Sequence, residues 1–251
     1  HISSNRYVPM ILPDGRSLHG INDASIRIGL RLSKDETIVR MPFEVRHMGS
    51  KYPIFSFDFT GAKRGVLPAS YDYLRLEGRM QYRLNLPPIG YSQLMLEGGK
   101  IFGKVPYLLL KLHEGNGTYF YDRYAFSCMN FYEFSSDAWI SFFYEHHFNG
   151  FLLGRVPLLK KLNWREVFVF KGVYGTLSAR NDGSLPNTKA VMLFPVGMSS
   201  VEHPYLETGF GIENIFRLLR VDCIWRLTHH RAVPGLSIPT FTVNFSLNLK
   251  F

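Results

Sequence analysis

Several groups of residues have types and spacings that could do chemistry. Ser135, Ser136, Asp137 and Ser141 set hydroxyls beside a carboxylate, which is part of a nucleophilic site. Such a site also needs a base within hydrogen-bond reach of the nucleophile and a group to orient that base. His147 lies about a strand's length from Asp137, so the sequence places no base there. His146-His147 and His229-His230 offer imidazoles to a metal ion. Neighbours on a strand point to opposite faces, so neither pair can chelate one ion without distortion. Glu114-Gly115-Asn116-Gly117-Thr118 is glycine-rich like a phosphate loop but lacks its lysine and its strand-to-helix setting. Asn116-Gly117-Thr118 also fits an N-glycosylation pattern, a weak signal alone. Cys128 and Cys223 are too few for a disulfide framework and are read as small hydrophobes. No catalytic residue, metal ligand or cofactor is therefore assigned, and the chain is read as a non-enzyme.

The elements that carry these residues repeat with a period of two. In residues 73 to 86, Leu74, Leu76, Gly78, Met80, Tyr82, Leu84 and Leu86 share one face. Arg75, Glu77, Arg79 and Arg83 share the other. Ile26, Ile28, Leu30 and Leu32 alternate with Arg27 and Arg31; Phe55, Phe57 and Phe59 alternate with Asp58. Val221, Cys223, Trp225 and Leu227 oppose Asp222 and Arg226, with Ile224 as an exception. The chain closes on the most regular case: Phe241, Val243, Phe245, Leu247, Leu249 and Phe251 against Thr240, Asn244 and Lys250. Ten strands follow, near 24–33, 37–47, 52–61, 71–86, 89–103, 131–147, 164–178, 204–216, 218–230 and 239–251. Residues 164–178 are less clean, because both faces are apolar. No repeat or linker divides residues 1–251, so they are read as one all-β domain.

Length and polarity choose between two all-β architectures. Soluble strands average roughly 5–6 residues; several here run far longer. Thirteen residues at about 3.3 Å each, tilted near 40°, cover roughly 33 Å along a membrane normal. No run reaches the roughly 20 apolar residues of a membrane helix. The pattern predicts an antiparallel transmembrane β-barrel with apolar side chains toward lipid. Arg31, Asp58, Arg75, Glu77, Arg79, Arg83, Asp222 and Arg226 would then face the lumen. Phe241, Val243, Phe245, Leu247, Leu249 and Phe251 would face lipid. Most long connections, 104–130 and 179–203 above all, alternate with tight turns, as outer-membrane barrels alternate outer loops and periplasmic turns. Both ends of the chain would then be periplasmic. The net charge is +9, but no basic run exceeds two residues such as Lys160-Lys161, so nucleic acid is not expected as a partner. The chain starts at His1 with no secretory leader and is read as a mature form or a fragment.

Longer motifs narrow the class. "YPIFSFDFTGAKRGVL", "YDYLRLEG", "VPYLLLKLHEGNGTYFYDRYAFSCMNFYEFSSD", "YEHHFNGFLLGRVPLLKKLNWREV" and "GIENIFRLLRVDCIWRL" together resemble an outer-membrane family of Bacteroidota with no assigned function. Its members couple a carboxypeptidase-regulatory-like domain to a barrel, so the resemblance implies that this chain is the C-terminal barrel portion. More distantly, the chain is similar to the BamA/TamA/FhaC insertases and translocases, whose barrels have sixteen strands. That likeness implies that loop 104–130 folds into the lumen. Asp122-Arg123-Tyr124-Ala125-Phe126 would stand where those proteins carry an Arg-Gly-aromatic tip, with Tyr124 in the glycine's place. Arg123 would pair with Glu133 or Asp137. The partners implied are outer-membrane lipid and other envelope proteins, and the activity implied is insertion or translocation without catalysis. A passive pore and a surface-binding barrel are the alternatives.

Overall fold

The computed structural model describes residues 2–3, 9–40, 45–66, 69–184, 188–231 and 237–247. The long strands are β1 (Ile26–Leu32), β4 (Ile54–Ala62), β5 (Tyr73–Asn85), β6 (Tyr91–Gly103), β7 (Ala138–His147), β8 (Arg165–Thr176), β9 (Tyr205–Ile215), β10 (Leu219–Arg226) and β11 (Phe241–Leu247). They form one nine-stranded sheet in the order β11-β10-β9-β8-β7-β6-β5-β4-β1, antiparallel at every step. The fold is all-β, as the alternation predicts. The sheet is open: among the described residues no pairing joins β1 to β11.

The expected strand over 37–47 is corrected. Its place is taken by a separate hairpin, β2 (Glu36–Arg40) and β3 (Val45–Ser50). Pro42, outside the described residues, gives the sequence reason: proline has no N–H for a ladder, so a central strand rejects it. Removing that strand leaves nine. Ile26 consequently sits beside Gly61, at the end of the sheet that carries the connections 63–72, 104–137, 177–204 and 227–240, while Leu247 sits at the other end, with the connections 33–53 and 148–164. The first long strand therefore starts, and the last described one finishes, at opposite ends of the sheet. Residues 9–25 pack among the long loops, where Leu193 N–H donates to Ile11 O and the Tyr107 hydroxyl donates to Pro9 O. The expected strand 131–147 divides as well. Phe134–Ser136 joins Lys111–Leu112 and Ser199–Ser200 in a small sheet, and β7 starts only at Ala138.

The two faces differ in polarity. Rung by rung, one face reads Leu30, Phe57, Gly78, Gly98, Ile140 and Tyr174, then Phe168, Phe210, Cys223 and Val243. Its large side chains are bare: Ile28 is 66% exposed, Phe210 61% and Leu247 63%. The opposite face carries the charges and is overlaid by residues 104–137. That cover explains the mixed pattern of β8. Val167, Val169, Lys171 and Val173 are buried under the loop, so both faces of β8 need apolar residues. It explains Ile224 too, which is fully buried on the covered face. Two apolar clusters hold the cover. Met95, Phe126, Met129, Phe134, Phe143 and Tyr205 pack between loop and sheet. Met10, Ile101, Tyr107, Leu110, Trp139 and Met192 pack at the loop end.

Candidate functional site: a clamped loop on the polar face

Loop 104–137 reaches the charged face of β7–β10, and a buried cluster fastens it there. Lys171 of β8 donates to the main-chain oxygens of Asp122 (2.8 Å) and Ala125 (2.6 Å). Glu207 of β9 accepts from the N–H groups of Ser127 (2.8 Å) and Cys128 (2.7 Å), and from the Tyr205 hydroxyl (2.6 Å). Arg226 of β10 donates to Glu133 (2.6 Å) and to Cys128 O (3.2 Å). Lys171, Glu207 and Arg226 share one rung across three strands. All three are buried, so each needs a partner, and the loop's backbone supplies one.

Further down the sheet, Glu145 of β7 gathers the loop tip. Arg123 Nε donates to it at 2.8 Å and Arg220 Nη2 at 3.1 Å, and the Tyr121 hydroxyl donates as well. Arg220 is also bound by Asp222 at 2.8 Å. The Tyr121 ring lies under both Lys171 and Arg220, 4.5 and 4.4 Å from its centroid. Burial, then the Glu145 charge, holds the Tyr121 hydroxyl well above its ordinary pKa, so it stays a donor.

The structure corrects the partner expected for Arg123: Glu145 takes it, not Glu133 or Asp137. Arg123 reaches Glu145, two residues from the far end of β7, whereas Glu133 and Asp137 precede β7 at the loop end. There Glu133 holds Arg226, and Asp137 accepts from Ser178 N–H and Asn181. The other predicted inward charges all reach the covered face and fall into two sets. Asp222 and Arg226 belong to the clamp. Arg31 pairs with Glu36, Arg27 with Asp58, Arg75 with Glu77 and Arg79 with Glu97, while Arg83 stacks over Tyr91 at 4.0 Å. Phe241, Val243, Phe245 and Leu247 lie on the apolar face, three of them exposed and Val243 partly buried. Leu249 and Phe251 are outside the described residues.

Glu97, Glu145, Lys171, Glu207 and Arg220 were missed by the sequence reading. The signal was clearest for two of them: Glu145 is the one carboxylate in the aromatic strand Ala138–His147, and Lys171 interrupts the apolar run 167–173, as in "FFYEHH" and "FVFKGVYG". A lone charge in such a strand, facing inward, has to be paired.

The other chemical candidates are spread apart. His146 and His147 turn to opposite faces. His146 meets Ser92 Oγ at 2.8 Å, and His147 meets Glu213 at 3.2 Å while stacking on Tyr91. His229 meets His203 O at 2.8 Å. Ser136 does gain a histidine from outside its neighbourhood: His113 Nε2 is 3.0 Å from Ser136 Oγ. Both are buried, and His113 Nδ1 meets no hydrogen-bond partner. Burial, then Lys111, pulls the His113 pKa down to about 3, which makes it a poor base at neutral pH.

A family model described as the C-terminal domain of a family of unknown function, DUF5686, matches residues 15–179. The chain belongs to that family. The DUF5686 match spans β1 to β8 and the whole clamped loop, including Glu145 and Lys171; Glu207, Arg220 and Arg226 lie beyond it. No curated protein matches the chain.

Proposed function

We propose that this DUF5686 chain is the wall and plug of a transmembrane β-barrel in the outer membrane of a Bacteroidota cell. The observation that carries the reading is its inverted polarity. Apolar side chains cover the bare face of the sheet, and ionisable side chains fill the covered one. A water-soluble sheet buries the first set and exposes the second; a membrane barrel does the reverse. β5 and β6, at 13 residues each, are long enough to cross a bilayer at a tilt. On this reading the end that carries loop 104–137 is extracellular, and the opposite end, with Leu247, is periplasmic. The nine strands form part of a larger barrel of the sixteen-strand BamA/TamA/FhaC type.

The activity we assign is insertion or translocation of polypeptide or lipid in envelope biogenesis, with no bond-breaking chemistry. A loop folded against the inner wall and an open sheet edge both support it. Cells depleted of the protein are the test: falling levels of outer-membrane proteins or lipids are expected, and unchanged levels sink the assignment. Carbonate extraction tests the membrane claim separately, since release of the protein would remove it. One observation favours a pore instead. Arg27, Asp58, Glu77, Arg79 and Glu97 line a hollow of about 220 Å³ that the loop leaves open. Steady single-channel current through the full-length protein in a planar bilayer would support that second reading.

A further inference from the structure

The last strand's free edge is occupied. Across the β10–β11 ladder, Phe245 faces Val221 as a pair without mutual hydrogen bonds, so its N–H and C=O point away from β10. Both are taken by the chain's own loop. Phe245 N–H donates to Tyr119 O at 2.7 Å, and Tyr121 N–H donates to Phe245 O at 2.7 Å. Phe120 and Phe245 thus form a parallel bridge, and the Asn244 side-chain amide donates to Thr118 O at 3.1 Å. Thr118–Tyr121 therefore acts as a short added strand.

The segment is shaped for that position. Asn116 bends it: its side-chain oxygen accepts from Thr118 N–H (3.0 Å) and Thr118 Oγ1 (2.8 Å), and its amide donates to Phe120 O (2.6 Å). Such a side-chain-closed turn is a usual role for asparagine. Gly117 passes so close to the Phe131 ring that any Cβ would collide with it. The Asn-Gly-Thr run therefore has a structural reason. Yet the added strand is held lightly at its outer end. Tyr119 is 77% exposed and Phe120 69%, while only Tyr121 reaches the buried cluster.

We propose that Thr118–Tyr121 is a displaceable latch on the β11 edge. It occupies the site where an extended polypeptide strand, parallel to β11 and carrying an apolar side chain at the Phe120 place, would pair. The occupant's chemistry is read from the resident segment, because strand addition takes affinity from main-chain bonds and specificity from alternate side chains. Exchange of one strand for another leaves the edge covered throughout, so aggregation through a bare edge is avoided. The inference rests on the translocase reading for the identity of its client, and on geometry alone for the site.

The test uses full-length protein in lipid vesicles and a fluorescein-labelled peptide with the sequence of residues 116–124. Asn116→Ala should free the latch. Exchange of the Phe245 amide then rises by roughly tenfold or more, and the peptide binds roughly tenfold tighter than to the wild type. An oxidised F120C/F245C protein should bind no peptide until reduced. Amide exchange unchanged in Asn116→Ala overturns the latch. A freed amide with peptide binding unchanged, or binding to the oxidised protein, overturns the acceptor site. Cells carrying the oxidised pair report on the translocase reading separately: normal outer-membrane protein levels beside a blocked peptide site would remove that reading and leave the latch standing.

Discussion

The sheet's first four strands and its last five use the same chemistry in different surroundings. In β1, β4, β5 and β6, arginines pair with carboxylates across a face that the loop only partly covers. Arg27 and Asp58, 2.9 Å apart, have side chains 64% and 27% exposed. In β7 to β11, Arg220 and Asp222 are 2.8 Å apart with side chains 3% and 0% exposed. An exposed pair contributes about 0–1 kcal/mol; a buried pair is costly to form and far more costly to break. On the proposed barrel reading, charges in the first half would face a wet lumen and set its field and selectivity. Those in the second half form a clamp that fixes a loop. The edges follow the same division: β1 is exposed along its whole length, and β11 is latched.

Removing a carboxylate from each half gives the largest expected contrast. Glu145→Gln leaves Arg220 and Arg123 beside an uncharged amide and should cost about 3–5 kcal/mol. Asp58→Asn should cost no more than about 1 kcal/mol. Thermal unfolding in detergent micelles, followed by the heat-dependent electrophoretic shift of barrels, measures both. Equal losses would erase the distinction between the two halves.

The bare face gives the next contrast. Phe210 stands at the middle of β9, 61% exposed. In water, Phe210→Arg should change stability by about 0.5 kcal/mol at most. Against lipid near the bilayer centre, the same change costs about 2–4 kcal/mol. Comparing the variant in vesicles and in micelles isolates the lipid contribution; a neutral substitution in vesicles would contradict the membrane orientation.

These contrasts also mark how far the sequence could be read. Period-two alternation carried the strands and their faces, because every second residue in a strand shares a face whatever the fold around it. It put Arg75 and Glu77 on one face of the sheet and Phe245 on the other, which is how the register has them. Position along the sheet was less legible. The distant resemblance implied a paired loop arginine at Arg123, but choosing Glu145 over Glu133 requires knowing how deep the loop descends, and that depth is set by Phe126 and Met129 packing on Phe143 and Tyr205. The hairpin 36–50 was misread because local alternation in "TIVR" and "EVRH" does not say which neighbour a strand pairs with; the proline between them did.

Acid should act on the loop end more than on the first strands. His113 is buried and its pKa is pulled down to about 3 by burial and then by Lys111, with Glu97 opposing. Its unfolded form has the ordinary value of about 6.5, so between those values the unfolded chain holds a proton that the folded chain rejects. Stability is complete above about pH 6.5 and falls as the pH drops, by up to about 1.4 kcal/mol per pH unit from this group. His113→Asn should flatten that limb in pH-dependent unfolding. An unchanged slope would mean that other groups carry the acid response.

The smallest effect is kinetic and reads the clamp directly. Cys128 is fully buried where the loop meets the sheet, and burial, then Glu207, pushes its thiol up to about 12. Cys223 is only partly buried and lies on the bare face. The thiolate is the reactive species, so a membrane-permeant maleimide should label Cys223 and leave Cys128 intact at neutral pH. Glu207→Gln keeps the side chain's size but removes the charge that holds Ser127 and Cys128. It should let the loop open more often and raise Cys128 labelling, while Asp58→Asn, in the uncovered half, should not. Mass spectrometry of each cysteine over time separates the outcomes. Labelling of wild-type Cys128 as fast as Cys223 would show that the loop leaves the wall freely, and the clamp would then be no barrier to whatever passes beside it.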